Sequence, residues 1–508
     1  MGRLLISTNS INWKELSPLL SSACRISLSS DAKSSIKTSN IVLNQILRSN
    51  KKVYGVNTGF GKLSNVSISS NDIKDLQLNL VRSHACGVGK TLDLGVTRVS
   101  MVLKLMTWAK GYSGIRLVLA KLLVDMLNHD ILPLMPRQGS VGASGDLAPL
   151  AHLALAMIGE GQVHFQERTM PSLLALKEAN LEPITLEAKE GLSLINGTQV
   201  STALGIRSLF ESEKLLKTAD ISGALSTEAS LSTNIVFNPI VHKLKKHPGQ
   251  IKVAENIYNL LKGSEIVKSH NDCGQVQDPY SIRCMPHVHG ASRDIFNNVE
   301  NIINNELNSI SDNPLVFQNG QIMNSGHFHA EHVAQALDSL SIAMSEIGAI
   351  AERRINYFMK GIGDRIPMFG AVNPGLESGF MLAQVTAAAL ASENKTLAHP
   401  ASVDSISTSA GQEDFVSMAP WSGRKCLRII SHIRSILAIE ILVSGNINHR
   451  FHKKLSSAIG LNSIMKLLKR SKVLTSKDHP LHTDIEIIDH LIKSGTILKI
   501  LSKHINLN

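Results

Sequence analysis

Apolar residues recur at helical spacing through most of the chain after residue 200. The segment AEHVAQALDSLSIAMSEIGAIAERRINYFM runs nearly thirty residues with apolar and small side chains on more than one face. GFMLAQVTAAALASENKTLA and RKCLRIISHIRSILAIEILVSGNI repeat the pattern. Helices this long, with no purely polar side, belong inside a bundle rather than on a surface. Earlier in the chain, NDIKDLQLNLVRSHACGVG reads as a helix that stops at Gly87-Val88-Gly89. GIRLVLAKLLVDMLNHDILPLMP reads as a second helix, ended by Asn128 and then by Pro133 and Pro136. Alternation is rare. The clearest strand signal is Val163 to Phe165, in a glycine-bounded hairpin pattern. Residues 1 to 50 mix helical and short-strand patterning, and Tyr54 to Leu63 reads as loop.

The polar connections between these segments hold most of the glycines: YGVNTGFG, INGTQ, NDCGQVQDPYSIRCMPHVHG, SDNPLVF, NSGHFH and SAGQEDF. Loops fixed by a rigid helical frame are where sites collect. Composition agrees with helix-on-helix packing. The chain is 43% hydrophobic over 508 residues, yet only 4% aromatic, which suits a bundle better than a β-sandwich.

The net charge of +11 raises nucleic-acid binding. No aromatic stacking motif or finger spacing accompanies the basic runs LKKHPGQIK and KLLKRSKVLTSK, so no nucleic-acid partner is expected. Cys24, Cys86, Cys273, Cys284 and Cys426 are odd in number and lack paired spacing. They fit a reducing cytosol rather than a disulfide or zinc framework. No apolar stretch reaches the length of a membrane span, and the first residues lack a cleavable leader pattern. The expectation is a cytoplasmic protein with no membrane partner.

The oddest stretch is GSVGASGDLAPLAH, Gly139 to His152. Its glycines at 139, 142 and 145 do not follow GxGxxG, no strand precedes them and no Lys follows, so a phosphate loop is a poor fit. A tight turn leading into a helix, with Ser144 or Asp146 as N-cap, fits the residue types. A third reading uses them more fully. If the Gly145 nitrogen reached the Ala143 carbonyl carbon, the backbone would close a five-membered ring. Loss of two waters, one carrying the Ser144 hydroxyl, would leave a conjugated methylidene, an electrophile made from the main chain. That chemistry needs a leaving hydroxyl, an amide without a Cβ beside it, and a strained turn.

This stretch resembles the signature of the aromatic amino acid ammonia-lyases, which carry a 4-methylidene-imidazol-5-one (MIO) group. YGVNTGFG, SHACGVG, INGTQ, QDPYSIRC, SDNPL, HFHAE and QEDFVSM follow in the family's order over roughly residues 50 to 430. A weaker match, DHPLHTDIEIIDHLIKSG, extends toward the C-terminus. Within the family the pattern lies nearest the branch that acts on L-histidine, giving trans-urocanate and ammonia, the opening step of histidine degradation.

The resemblance implies a mainly α fold: a long central helical bundle of the fumarase/aspartase type with few short strands. Residues 1–200 would carry the MIO, 201–450 the bundle, and 451–508 a C-terminal helical segment. It implies a homotetramer with shared active sites, and no metal or diffusible cofactor. Ala143, Ser144 and Gly145 would form the MIO. Tyr54 would take the β-proton, helped by a positive local field such as a helix N-terminus. Asn196 would serve the MIO oxygen or the substrate, and Phe328 would pack near the MIO. Arg283 would clamp the substrate carboxylate, with Gln277 and Tyr280 lining the site. His84 and Glu413 would face the imidazole. A buried glutamate left against a phenyl ring would lack a partner, so Glu413 favours histidine over phenylalanine or tyrosine.

Some positions depart from the family pattern. Gly411 stands where Asn is common, and Phe415 where the histidine branch commonly has His. His287, His289 and His327 are also unusual. These departures bear on substrate preference, and a tyrosine or phenylalanine ammonia-lyase or aminomutase is the sister alternative. The histidine-rich HVHG and HFHAEH raise a metal-dependent hydrolase, but neither is HExxH. A non-enzymatic helical scaffold would not need so many glycine-rich polar loops.

Overall fold

The structure is a computed structural model that describes residues 2–49, 52–270 and 276–508. Cys273, one of the five cysteines, lies outside the described residues; Cys24, Cys86, Cys284 and Cys426 are free thiols. The chain forms two compact units. Unit 1 comprises 1–207, 300–338 and 400–424; unit 2 comprises 208–299, 339–399 and 425–508.

The fold is mainly helical, as the periodicity implies. The long patterned segments form the helices Glu331–Met359, Met381–Leu397 and Ala419–Phe451. The last runs beyond the patterned stretch at both ends. The two earlier helices are Ile73–His84 and Leu117–Asn128, each ending where glycine, asparagine and proline interrupt the pattern. The strand at Gln162–Phe165 forms a hairpin with Arg168–Pro171 and pairs on its other side with Leu132–Pro133. The described strands are at most four residues long.

One helix of unit 1 has no amphipathic signal. Leu94–Ala109 is buried at every position from Gly95 onward, so its apolar residues have no period to reveal it. It is a core helix, enclosed on all sides. Its one lysine in the middle, Lys104, is 1% exposed, a placement a charged side chain tolerates only with partners.

The helix after the glycine stretch, Ala148–Met157, corrects an expectation. Its N-cap position is Leu147, at φ 45°, and no side chain caps it. Neither Ser144 nor Asp146 takes that role. The Asp146 carboxylate is fully buried and instead accepts from Val200 N at 2.6 Å and Ser201 N at 3.2 Å, and from the Ser201 hydroxyl. These groups open the Gln199–Ala229 helix. Asp146 thus supplies the acceptor that the first turn of a different helix needs. Burial pushes its carboxyl up to about 6, while the hydrogen bonds from Ser201 and Val200 and the charge of Lys104 pull the other way.

Unit 2 holds helical segments crossed by buried polar links. Glu440 accepts from Ser222 Oγ and Ser226 Oγ, both at 2.7 Å, and from Arg354 Nε at 2.5 Å and Nη2 at 3.0 Å. Asp220 accepts from Arg293 Nη2 at 2.5 Å and Asn256 Nδ2 at 2.9 Å, and meets His289 Nδ1 at 3.0 Å. Among the described residues no helix is long and apolar enough to cross a membrane.

Candidate active site

A cavity of about 1290 Å³ opens in unit 1. Tyr54, His84, Ala143, Ser144, Asn196, Phe328 and Glu413 all line it. Six separate stretches of chain deliver them: the loop at 54–61, the C-terminal end of the Ile73–His84 helix, the glycine stretch, the end of the short helix Glu190–Ile195, and two later loops. A smaller cavity of about 310 Å³ is lined by Gly145, His84 and Glu413 among others.

Gly145 sits at φ 81°, and a Cβ there would stand 2.3 Å from Gly197 O and 2.5 Å from Gly197 N. Only glycine permits both the conformation and the approach. That approach is held by a bridge between Gly145 and Gly197 and by Asp146 N donating to Gly197 O at 2.8 Å. The Ala143–Gly145 backbone is therefore pressed against the segment that carries Asn196. The Asn196 Nδ2 donates to the Ser144 carbonyl oxygen at 3.1 Å. Its Oδ1 is buried with no partner among the described residues, a polar atom left unspent inside the site.

The Ser144 hydroxyl donates to Glu413 Oε1 at 2.7 Å. The other carboxylate oxygen accepts from Thr408 Oγ1 at 2.9 Å and Ser409 Oγ at 2.5 Å. Backbone pairing between Thr408 and Glu413 closes that loop on itself. The run of hydroxyls just ahead of QED is thus the support of Glu413, a role the motif did not reveal.

His84 Nδ1 lies 2.8 Å from Leu80 O. With the proton on Nδ1 donated there, Nε2 is left as an acceptor. The Tyr54 hydroxyl oxygen accepts from Gly61 N at 3.2 Å, and its ring meets Phe60 edge-on at 6.5 Å. Gly61 begins a single three-residue turn of 3-10 helix. Phe328 is half-buried at the cavity wall.

Behind the site lies a buried polar layer that the motifs did not flag. Lys104 Nζ donates to Asn196 O at 2.6 Å and Ser193 O at 3.0 Å. Ser193 Oγ accepts from Trp108 Nε1 and donates to Asp312 Oδ2, each at 2.9 Å, and Lys189 Nζ meets the same Asp312 oxygen at 2.9 Å. The available signal was a lone lysine in the apolar run VSMVLKLMTWA.

Gln277, Tyr280 and Arg283 belong to unit 2 and do not line this cavity. They form a group of their own. Arg283 Nη1 donates to Gln277 Oε1 at 2.6 Å, and its guanidinium lies 4.7 Å from the centre of the Tyr280 ring, which is 71% exposed. Among the unusual histidines, His289 is fully buried against Asp220, and burial lowers its pKa from the ordinary value. His287 is exposed and faces the His242 ring at 5.5 Å. His327 is exposed and bonded to Ser325 Oγ. Phe415 is 61% exposed and stacks on His329 with ring centres 6.2 Å apart. Among the described residues no group of three His, Cys, Asp or Glu stands together as a metal site.

Comparison with known proteins gives a consistent result. The family model described as aromatic amino acid lyase matches residues 11–469. Histidine ammonia-lyase of Myxococcus xanthus is 43% identical over 98% of each chain. That of Photorhabdus laumondii is 49% identical over 87% of this chain and 86% of its own. Among solved structures, histidine ammonia-lyase from Trypanosoma cruzi superposes with a TM-score of 0.91 at 38% identity, covering 99% of this chain and 96% of that one.

Proposed function

The chain belongs to the aromatic amino acid lyase family, and on that premise we propose that it removes ammonia from L-histidine without oxidation, releasing trans-urocanate. The observation that carries the reading is the meeting of Ala143, Ser144, Asn196, Tyr54, His84 and Glu413 on one cavity.

The residues present fit an MIO. Gly145 has no Cβ where a Cβ would collide with Gly197, and Asn196 offers Nδ2 to the carbonyl oxygen that the ring would keep. Built from Ala143, Ser144 and Gly145, the group would supply an electrophile strong enough to draw electrons from a bound amino acid, which a general base alone cannot do at neutral pH. No metal or diffusible cofactor enters this reading.

The chain's own side chains divide the remaining work. Tyr54 is the base for the β-proton, its oxygen held by Gly61 N. Asn196 holds the Ser144 carbonyl oxygen at the point where negative charge would gather. His84 Nε2 and Glu413 face the imidazole as acceptors, and Phe328 fills the wall beside Ala143-Ser144. Loss of the Ser144 hydroxyl as water would free Glu413 Oε1, now occupied by that hydroxyl, for the substrate. Arg283 is the clamp for the substrate carboxylate, with Gln277 and Tyr280 beside it. In the homotetramer proposed here, those three serve a site shared between copies. That reading is supported by the exposure of Tyr280 and by an Arg283 head group whose partner is a neutral amide. A cytoplasmic location suits an enzyme with free thiols.

The test is direct. Purified protein given L-histidine should generate the absorbance of urocanate, and its intact mass should lie two waters below the encoded chain. Turnover of L-tyrosine or L-phenylalanine with silence on L-histidine would move the activity to a sister enzyme. An unmodified mass in an active protein would remove the MIO.

A further inference from the structure

Asn196 is the residue whose side chain reaches the Ser144 carbonyl oxygen, yet among the described residues nothing holds that side chain from its other end. Its Oδ1 is buried and has no partner among the described residues. Its aim is therefore set through its backbone. Three tethers fix that backbone: Asn196 N donates to Leu192 O at 2.9 Å, the next residue pairs with Gly145, and Lys104 Nζ donates to Asn196 O at 2.6 Å. The first is an ordinary helix bond and the second belongs to the glycine stretch itself. Lys104 is the anchor from a separate element, the fully buried Leu94–Ala109 helix.

The geometry points to Lys104 as a positioning residue for the reaction: it acts through the Asn196 carbonyl to aim the Asn196 side chain at the Ser144 carbonyl oxygen. The inference rests on the reading of Ala143-Ser144-Gly145 given above. Lys104 has little other work to do there. It is 1% exposed, lies outside the cavity lining, and spends its hydrogen bonds on two backbone carbonyls, those of Ser193 and Asn196. These close the short helix Glu190–Ile195, where unpaired carbonyls collect and a cation is favoured. Burial pushes the Lys104 ammonium down to about 7, against the pull of Asp312 and Asp146. A neutral amine keeps two N–H groups, enough for the same two carbonyls, so the anchor survives in either protonation state. The Trp108, Ser193, Asp312 and Lys189 links around it fix the helix end that Lys104 grips.

A double-mutant cycle separates this role from simple packing. Lys104→Met should lower kcat for L-histidine ~100-fold with little change in KM, the size of loss expected for a misaimed group near the chemistry. In an Asn196→Ala background the same change should cost less than about 3-fold, because the side chain being aimed is gone. The near-ultraviolet absorbance of the processed segment gives a second readout: Lys104→Met should shift it in the direction that Asn196→Ala does, and the double variant should shift no further. Lys104→Gln, which keeps an NH2 donor group on a side chain one atom shorter, should fall between wild type and Lys104→Met, and it carries the cycle if the methionine variant does not fold. Equal losses in both backgrounds, or an unchanged kcat and absorbance in Lys104→Met, would overturn the assignment. A wild-type mass without the two-water deficit would instead sink the reading of Ala143-Ser144-Gly145, while the kcat cycle would still report on Lys104.

Discussion

Glu440 in unit 2 and Glu413 in unit 1 are both carboxylates bound by serine hydroxyls, and they teach opposite lessons. Glu440 is fully buried, and four donors, two from hydroxyls and two from Arg354, occupy its oxygens. Its hydrogen-bonding capacity is used up inside the helices. Glu413 is half-buried at a cavity, with one oxygen held by Thr408 and Ser409 and the other, among the described residues, bonded to a hydroxyl that the proposed chemistry removes. A saturated buried charge is a structural element. In the proposed function, a supported charge with one oxygen turned to the cavity is held for a ligand. The two regions should therefore fail differently when disturbed.

The largest expected effect is at the hydroxyl itself. Ser144→Ala should cut turnover of L-histidine by roughly 10³-fold or more, since it removes the electrophile's precursor. The melting temperature should stay close to wild type, and the two-water mass deficit should vanish. Full turnover in this variant would break the contrast at its centre. Glu440→Ala should do the reverse. It strands Arg354 in a dry interior, costing about 3–5 kcal/mol, measured by denaturant unfolding, while the folded fraction keeps its mass deficit. Glu413→Gln is the matched probe. It should lower kcat/KM for L-histidine ~100-fold through the lost acceptor, yet cost less than about 1 kcal/mol of stability. A large stability loss there would make Glu413 another Glu440.

The buried histidine of unit 2 sharpens the contrast by pH. Burial holds His289 below its ordinary pKa of 6.5, with Asp220 opposing and Arg354 adding to the shift. Asp220 is pushed up by burial but brought below 3.8 overall by Arg293, His289 and Asn256. For His289 the unfolded chain binds more protons than the folded one below pH 6.5, so its stability contribution is present above 6.5 and falls as pH drops. For Asp220 the loss comes lower, as pH falls through its depressed pKa. Unfolding free energy should thus decline from pH 6.5 toward 5, by up to about 1.4 kcal/mol per pH unit. His289→Gln should flatten that decline; an unchanged slope would assign the acid sensitivity elsewhere.

How much of this was legible beforehand varied with the kind of order involved. The long helices were, because period and length survive in one dimension: Glu331–Met359 and Met381–Leu397 match their patterned segments closely. Leu94–Ala109 was not, because a helix buried on all sides carries no period. The residue types suggested the chemistry proposed for Ala143-Ser144-Gly145, but nothing in them pointed to the partner of Asp146. Its acceptors serve residues 54 and 55 positions away, and the local pattern pointed to the helix beside it. Lys104 was visible only as a charge in an apolar run, with no hint that Asn196 was its target. Sequence shows which groups have chemistry; it does not show which backbone they hold in place.

The smallest expected effect concerns a departure from the family pattern. Gly411, two residues before Glu413, stands where the resemblance leads one to expect Asn. It has φ 79°, a region that asparagine adopts more readily than most residues. A Cβ there would meet nothing within 4 Å. Glycine loses more freedom on folding than asparagine, which offsets the strain of a positive φ. Gly411→Asn should therefore change stability by less than about 0.5 kcal/mol. Glu413 is held by Thr408 and Ser409 rather than by residue 411, so kcat/KM for L-histidine should stay within about 3-fold. Gly411→Val, which suits neither the φ nor the exposure, should be the worse substitution by ~1 kcal/mol or more. If asparagine instead raised activity tenfold, Gly411 would belong with Glu413 as part of the reactive face, and the support of that carboxylate would extend beyond its two hydroxyls.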